Sequence, residues 1–154
     1  MFNTLTKELG DVIGLDQLGP DETGALTLSV DGMTFTLQYY ESGEEIYIIH
    51  RIGPLPEDDA SLLALQGYLL ESNCFFRHVG PGTLGIEGRD VFYTVRVACR
   101  DRSGQRLSGA ELEVLLRGVV DTCRLLREGS DEVINRVLTQ SDPIDADYLS
   151  MLKV

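Results

Sequence analysis

The chain has 154 residues, 13 basic and 25 acidic, for a formal net charge of −12. With 43% hydrophobic residues, one packed domain is expected and global disorder is not. A pI near 4.4 argues against coats on nucleic acid or anionic membrane, which need excess Lys and Arg.

Phe2, Leu5, Leu9, Val12 and Ile13 recur at steps of three and four, which predicts a short helix over residues 2–14. Gly14, Gly19 and Pro20 break it. Leu26, Leu28 and Val30 then alternate with polar residues, and Asp31-Gly32 suits a two-residue hairpin turn with positive φ. The return strand runs from Met33 to Tyr40, with Met33, Phe35, Leu37 and Tyr39 on one face. Residues 41–44 turn the chain into a third strand, with Ile46, Ile48, His50 and Ile52 on one side.

Asp58 or Asp59 caps a helix running to about Asn73, with Leu62, Leu65 and Leu69 as its main stripe and Leu63 and Leu70 beside it. A loop at Gly80-Pro81-Gly82 leads into a short strand over 83–87. The next strand spans 91–99, with Val91, Tyr93, Val95 and Val97 on one face. Ser108 and Glu111 make a Ser-x-x-Glu capping box for a third helix carrying Leu112, Leu115, Leu116, Val119, Val120, Cys123 and Leu126. Gly129 is the expected stop. The order is α-βββ-α-ββ-α, so the fold class is α+β: an antiparallel sheet of about five strands with three helices. Residues 1–128 form the domain and 129–154 an acidic C-terminal tail. In that tail Val133, Ile134, Val137 and Leu138 fit a short helix, and Asp142-Pro143 fits the start of another.

Charge is uneven. Residues 1–76 hold two basic and 13 acidic side chains, whereas 77–127 hold nine basic and six acidic. The basic segment is either a partner-facing surface or unevenly solvated surface. The three cysteines, Cys74, Cys99 and Cys123, are odd in number and match no zinc spacing, so reduced thiols in a cytosolic protein are expected. Nothing at the N-terminus reads as a signal peptide, and no apolar run approaches the ~20 residues of a membrane span.

Signals for chemistry are weak. Gly80 to Gly85 spells G-x-G-x-x-G, but a helix precedes it and a strand follows, the reverse of a dinucleotide site. Cys74 and His78 face each other only if the helix continues that far, and neither has an orienting partner. His50 reads as a satisfied sheet residue. Asp58-Asp59 and Glu44-Glu45 are adjacent pairs, and Asp142, Asp145 and Asp147 lack the Gly and Glu of a calcium loop. The expectation is no enzyme, no catalytic residue, no metal and no cofactor.

The layout resembles the class I type III secretion chaperones, the Tir chaperone family. Residues carrying the likeness are Gly24 to Val30 with Asp31-Gly32, Ile52-Gly53-Pro54-Leu55-Pro56, Leu62-Leu63 through Leu69-Leu70 with Asn73, and Thr83-Leu84-Gly85-Ile86. It covers about residues 1–127. The resemblance implies a cytoplasmic homodimer in a Gram-negative bacterium. Such a dimer binds the N-terminal region of a secreted effector in extended form and keeps it soluble and export-competent. It implies no nucleotide hydrolysis, no nucleic acid and no membrane insertion. By the same analogy Phe2, Leu5, Leu9, Phe35 and Leu37 contribute to effector grooves, and Leu62, Leu65 and Leu69 join the dimer interface. The tail is then a partner-specific arm, a lid over a groove or a frayed end. The competing readings are a non-secretory α+β adaptor or regulator, and a small-molecule or enzyme domain using the Gly80–Gly85 loop and the Cys74–His78 pair.

Overall fold

The computed structural model describes residues 1–76 and 78–140. Three α-helices and five strands follow the expected order: α1 (Phe2–Ile13), β1 (Ala25–Val30), β2 (Met33–Tyr40), β3 (Glu45–Pro54), α2 (Asp59–Asn73), β4 (Gly82–Glu87), β5 (Asp90–Ala98) and α3 (Gly109–Gln140). The strands form one antiparallel sheet in the order β1-β2-β3-β5-β4, which leaves β1 and β4 as its edges.

Turn chemistry sets the register. Asp31 and Gly32 take φ of 51° and 76°, so Val30 closes directly on Met33. Two residues, Gly88 and Arg89, likewise join Glu87 to Asp90. Alternation along β2, β3 and β5 sends Phe35, Leu37, Ile46, Ile48, Val91, Tyr93 and Val95 to one face, where all are buried. The helices cover that face. The other face carries Tyr47, Ile49 and Phe92, only half-buried.

Local contacts explain several glycines. The Tyr93 hydroxyl donates to the Val79 carbonyl (2.5 Å), and a Cβ on Gly82 would meet the Tyr93 ring at 2.4 Å. Gly82 therefore makes room for a buried tyrosine. At the start of α3, a Cβ on Gly109 would come within 2.4 Å of the Glu8 backbone, so α1 crosses there at close range. Glu8 also accepts from the Gly109 N–H (3.1 Å) and pairs with Arg106, which caps α3 from another helix.

The helix stop expected at Gly129 is not there. α3 runs through it to Gln140, and residues 129–140 continue the helix. Gly129 is small because Tyr68 of α2 lies against it: a Cβ would sit 2.2 Å from the tyrosine hydroxyl oxygen. The helix start expected at Asp142-Pro143 lies outside the described residues.

Candidate functional site

The residues singled out for possible chemistry do not come together. α2 ends at Asn73, so Cys74 and His78 do not share a helix face, and both are exposed. Burial pushes the Cys123 thiol up to about 12 and raises Cys99, so neither is a ready thiolate. His50 is buried beneath α3. Its Nδ1 lies 2.8 Å from the Thr34 carbonyl, its ring stacks on Phe35, and Arg127 Nη2 lies 3.4 Å from Nε2. Burial lowers its pKa, opposed in part by the hydrogen bond to the Thr34 carbonyl and aided by the Arg127 charge, so the neutral ring is a sheet residue. No group of His, Cys, Asp and Glu among the described residues is placed to hold a metal ion. No helix there is long and apolar enough to cross a membrane.

The surface offers binding features instead. A groove of about 340 Å³ opens between the end of α1, β1 and the first half of α3. Leu9, Leu28, Leu116 and Val120 line it, with Ile13, Leu15 and Val30 exposed at its mouth. Glu113, Arg117, Asp121 and Arg124 rim it. Beside it runs β1, whose outer edge has no strand partner among the described residues. An apolar trough next to an open edge can accept an extended peptide by strand addition and side-chain insertion.

A second feature is the outward side of α2. Leu63 and Leu70 are 71% and 72% exposed, with Gly67 between them on the same face. Nothing lies within 4 Å of a Cβ placed on Gly67. A mid-helix glycine costs ~1 kcal/mol relative to alanine, and no contact among the described residues requires it.

The structure gathers the expected site residues but closes most of them inside. Phe2, Leu5, Phe35 and Leu37 are each at most 5% exposed and belong to the core. Leu9 is equally buried but forms part of the groove floor. On α2, Leu65 and Leu69 point into the core and Leu62 is half-buried, whereas the flanking Leu63 and Leu70 face outward. Sequence reasoning missed Ile13, Leu15 and Val30 as groove-mouth residues; their signal was an apolar residue next to a breaker or turn. The central basic segment is not a free positive face. Arg96, Arg100, Arg106 and Arg124 pair with Glu45, Glu44, Glu8 and Asp31 from the acidic half.

Solved structures share this fold. The Yersinia pestis type III secretion chaperone SycH, crystallised with a stable fragment of YscM2, matches with a TM-score of 0.61 and 20% identity, covering 82% of this chain and 99% of that one. The ExsC–ExsE complex matches at 0.65 and 19%, covering 82% and 90%. YbjN, a putative transcription regulator from E. coli, matches at 0.58 and 11%, covering 82% and 88%. At these identities the likeness is one of fold. A search of curated protein sequences finds no match. Residues 4–127 match the family model described as Tir chaperone protein (CesT). The chain belongs to the Tir chaperone protein (CesT) family.

Proposed function

We propose that the protein is a type III secretion chaperone that holds the N-terminal segment of an effector in extended form. Family membership over residues 4–127 carries this reading. The α1–β1–α3 groove beside the free β1 edge supports it. The effector strand adds to β1, and its apolar side chains enter the trough above Leu9, Leu28 and Val120. Phe2, Leu5, Phe35 and Leu37 act from beneath by holding α1 and the hairpin rigid. The role is binding, without catalysis, and its compartment is the bacterial cytoplasm. The working unit is a homodimer joined through the outward side of α2, where Leu63, Gly67 and Leu70 present an apolar strip. The net charge of −12 keeps the empty dimer dispersed despite these surfaces.

The test is co-purification with the N-terminal region of a co-encoded effector candidate, compared with an Ile13→Glu/Val30→Glu variant. Both residues are exposed, so the variant should keep its thermal unfolding midpoint. The expected result is a stable complex of two chaperones per effector segment, lost in the variant by about tenfold or more in affinity, as two charges set into an apolar contact would cause. Equal affinity in both proteins would remove the groove from the effector path. Failure of every co-encoded candidate to bind the wild type would favour the adaptor reading.

A further inference from the structure

The two edges of the sheet use their backbone groups differently, and turn geometry fixes which groups point outward. The two-residue turn at Asp31-Gly32 makes Val30 and Met33 a hydrogen-bonded pair. Bonded and non-bonded pairs alternate from there. Val30, Leu28 and Leu26 therefore bond to β2, while Ser29, Thr27 and Ala25 turn their N–H and C=O groups to the outer edge. The two-residue turn at Gly88-Arg89 sets the same phase for β4. Glu87, Gly85 and Thr83 bond to β5, and Ile86, Leu84 and Gly82 face outward.

The chain then occupies part of each edge itself. On β4 the Asn73 amide takes both outward groups of Leu84, standing where the backbone of a neighbouring strand would. The Gly82 N–H donates to the Val79 carbonyl (3.0 Å). Among the described residues Ile86 alone keeps both outward groups of β4 unpartnered, and one residue is not a ladder. On β1, Asp21 closes the first outward residue. Its Oδ1 accepts from the Ala25 N–H (3.1 Å), and its own N–H donates to the Ala25 carbonyl (2.7 Å). The same Oδ1 accepts from the Thr23 N–H (2.8 Å) and hydroxyl (2.6 Å), which fixes the loop in place. Thr27 and Ser29 are exposed, and their outward groups have no partner among the described residues.

A strand laid on β1 shares the sheet's alternation. Its residues opposite Leu28 and Val30 lie on the trough face, and those opposite Thr27 and Ser29 on the other. We propose that Asn73 and Asp21 are strand stops: they direct a client segment to β1 and to one register, in which it pairs with Thr27 and Ser29 and sends two side chains, two positions apart, into the trough. This deepens the chaperone reading above and rests on it. A slip of one residue turns both side chains to the wrong face. A slip of two toward Ala25 loses a rung, because Asp21 already holds that residue's N–H and C=O. The segment selected is apolar–any–apolar at its centre, since a polar side chain at either end of that triplet would be left unpaired above Leu9, Leu28 and Val120.

The experiment is amide exchange, read by nuclear magnetic resonance, on the full chain alone and with the N-terminal region of each co-encoded effector candidate. In the free chain the Thr27 and Ser29 amides should exchange about tenfold or more faster than those of Ala25, Leu28 and Leu84. The bound segment should slow Thr27 and Ser29 by about tenfold or more and leave Ile86 unchanged. Two variants extend the test. Ser29→Pro removes an outward N–H without touching the β1–β2 ladder, so it should keep the thermal midpoint and weaken binding by about tenfold. Asp21→Ala should speed exchange at Ala25 in the free chain, and the bound segment should slow it again as the ladder gains a rung. The wild-type exchange pattern decides the matter even without the variants. Thr27 and Ser29 amides already slow in the free chain would overturn the proposal. Protection gained at Ile86 instead of Thr27 and Ser29, or undiminished binding by a folded Ser29→Pro chain, would overturn it and leave the chaperone reading standing. Failure of every candidate to bind the wild type would overturn both.

Discussion

Two side chains show what single residues contribute here. The Asn73 amide donates from Nδ2 to the Leu84 carbonyl (3.0 Å), and its Oδ1 accepts from the Leu84 N–H (2.9 Å). It ties the end of α2 to the middle of edge strand β4 at two points. Asn73→Ala should cost ~1–3 kcal/mol in urea unfolding, since it orphans a partly buried backbone N–H and carbonyl. His50 links β3 to α3. Thr34 offers only a carbonyl, so Nδ1 carries the proton and Nε2 is left to accept from Arg127. Protonation would replace that acceptor with a donor and set two cations together. Burial lowers the folded-state pKa below the ordinary value of 6.5. The stabilisation is therefore full above about pH 6.5 and is lost as pH falls from there through the folded-state value. The urea midpoint should drop between pH 7 and 5.5, a window above the range where the carboxylates lowered by their hydrogen bonds, such as Glu8 and Asp58, begin to protonate. His50→Asn should flatten the drop in that window, and a drop that persists unchanged would assign it to another group.

Elements add a constraint that single residues do not show: the space between helices. α3 carries two interior glycines with opposite roles. Gly118 has nothing within 4 Å of a Cβ, so Gly118→Ala should stabilise by up to ~1 kcal/mol through helix propensity alone. Gly129→Ala carries the same propensity gain but drives a methyl into Tyr68. It should destabilise by ~1–3 kcal/mol, as overpacking does. In a Tyr68→Ala background the same substitution should become neutral or stabilising, and a penalty that survives there would refute the packing account. This pair marks a limit of sequence reading. Strand alternation, the Asp31-Gly32 turn and the Ser108 box were legible because each depends on neighbours within a few residues. Gly129 looked like a stop because its reason, Tyr68, lies 61 positions away in sequence. The site was less legible for a related cause. Phe2, Leu5 and Leu9 make the same stripe whether their cover is a partner or the chain's own sheet, and periodicity does not name the cover. On α2 the difficulty was sharper: leucines occur on both sides of the helix, so its core side and its bare side could not be told apart until Leu65 and Leu69 were seen against the sheet.

At the scale of the molecule, this two-sided α2 is the strongest argument for a dimer. A helix with leucines on both sides ordinarily buries both, yet among the described residues α2 is covered only on the side of Leu65 and Leu69. Leu63 and Leu70 remain bare, and Ile86 on edge strand β4 is 46% exposed, with β4 tied to the helix through Asn73 and Leu84. Gly67 between the two leucines suits a close helix–helix crossing, which a larger side chain would hold apart. A two-fold contact on this strip would bury both leucines from each protomer and add ~1.5–3 kcal/mol for each one covered. Leu63→Asp/Leu70→Asp should therefore convert a dimer into a monomer by sedimentation equilibrium, with the far-ultraviolet circular dichroism unchanged. Gly67→Leu should weaken association as well, while raising the helix propensity of α2. Leu65→Asp is the contrasting variant. Its side chain is 2% exposed inside the core, so it should lower the unfolding temperature first, whatever the mass. A Leu63→Asp/Leu70→Asp protein that keeps its dimer mass would place the interface elsewhere, with the open face of the sheet at Tyr47, Ile49 and Phe92 as the next surface to charge.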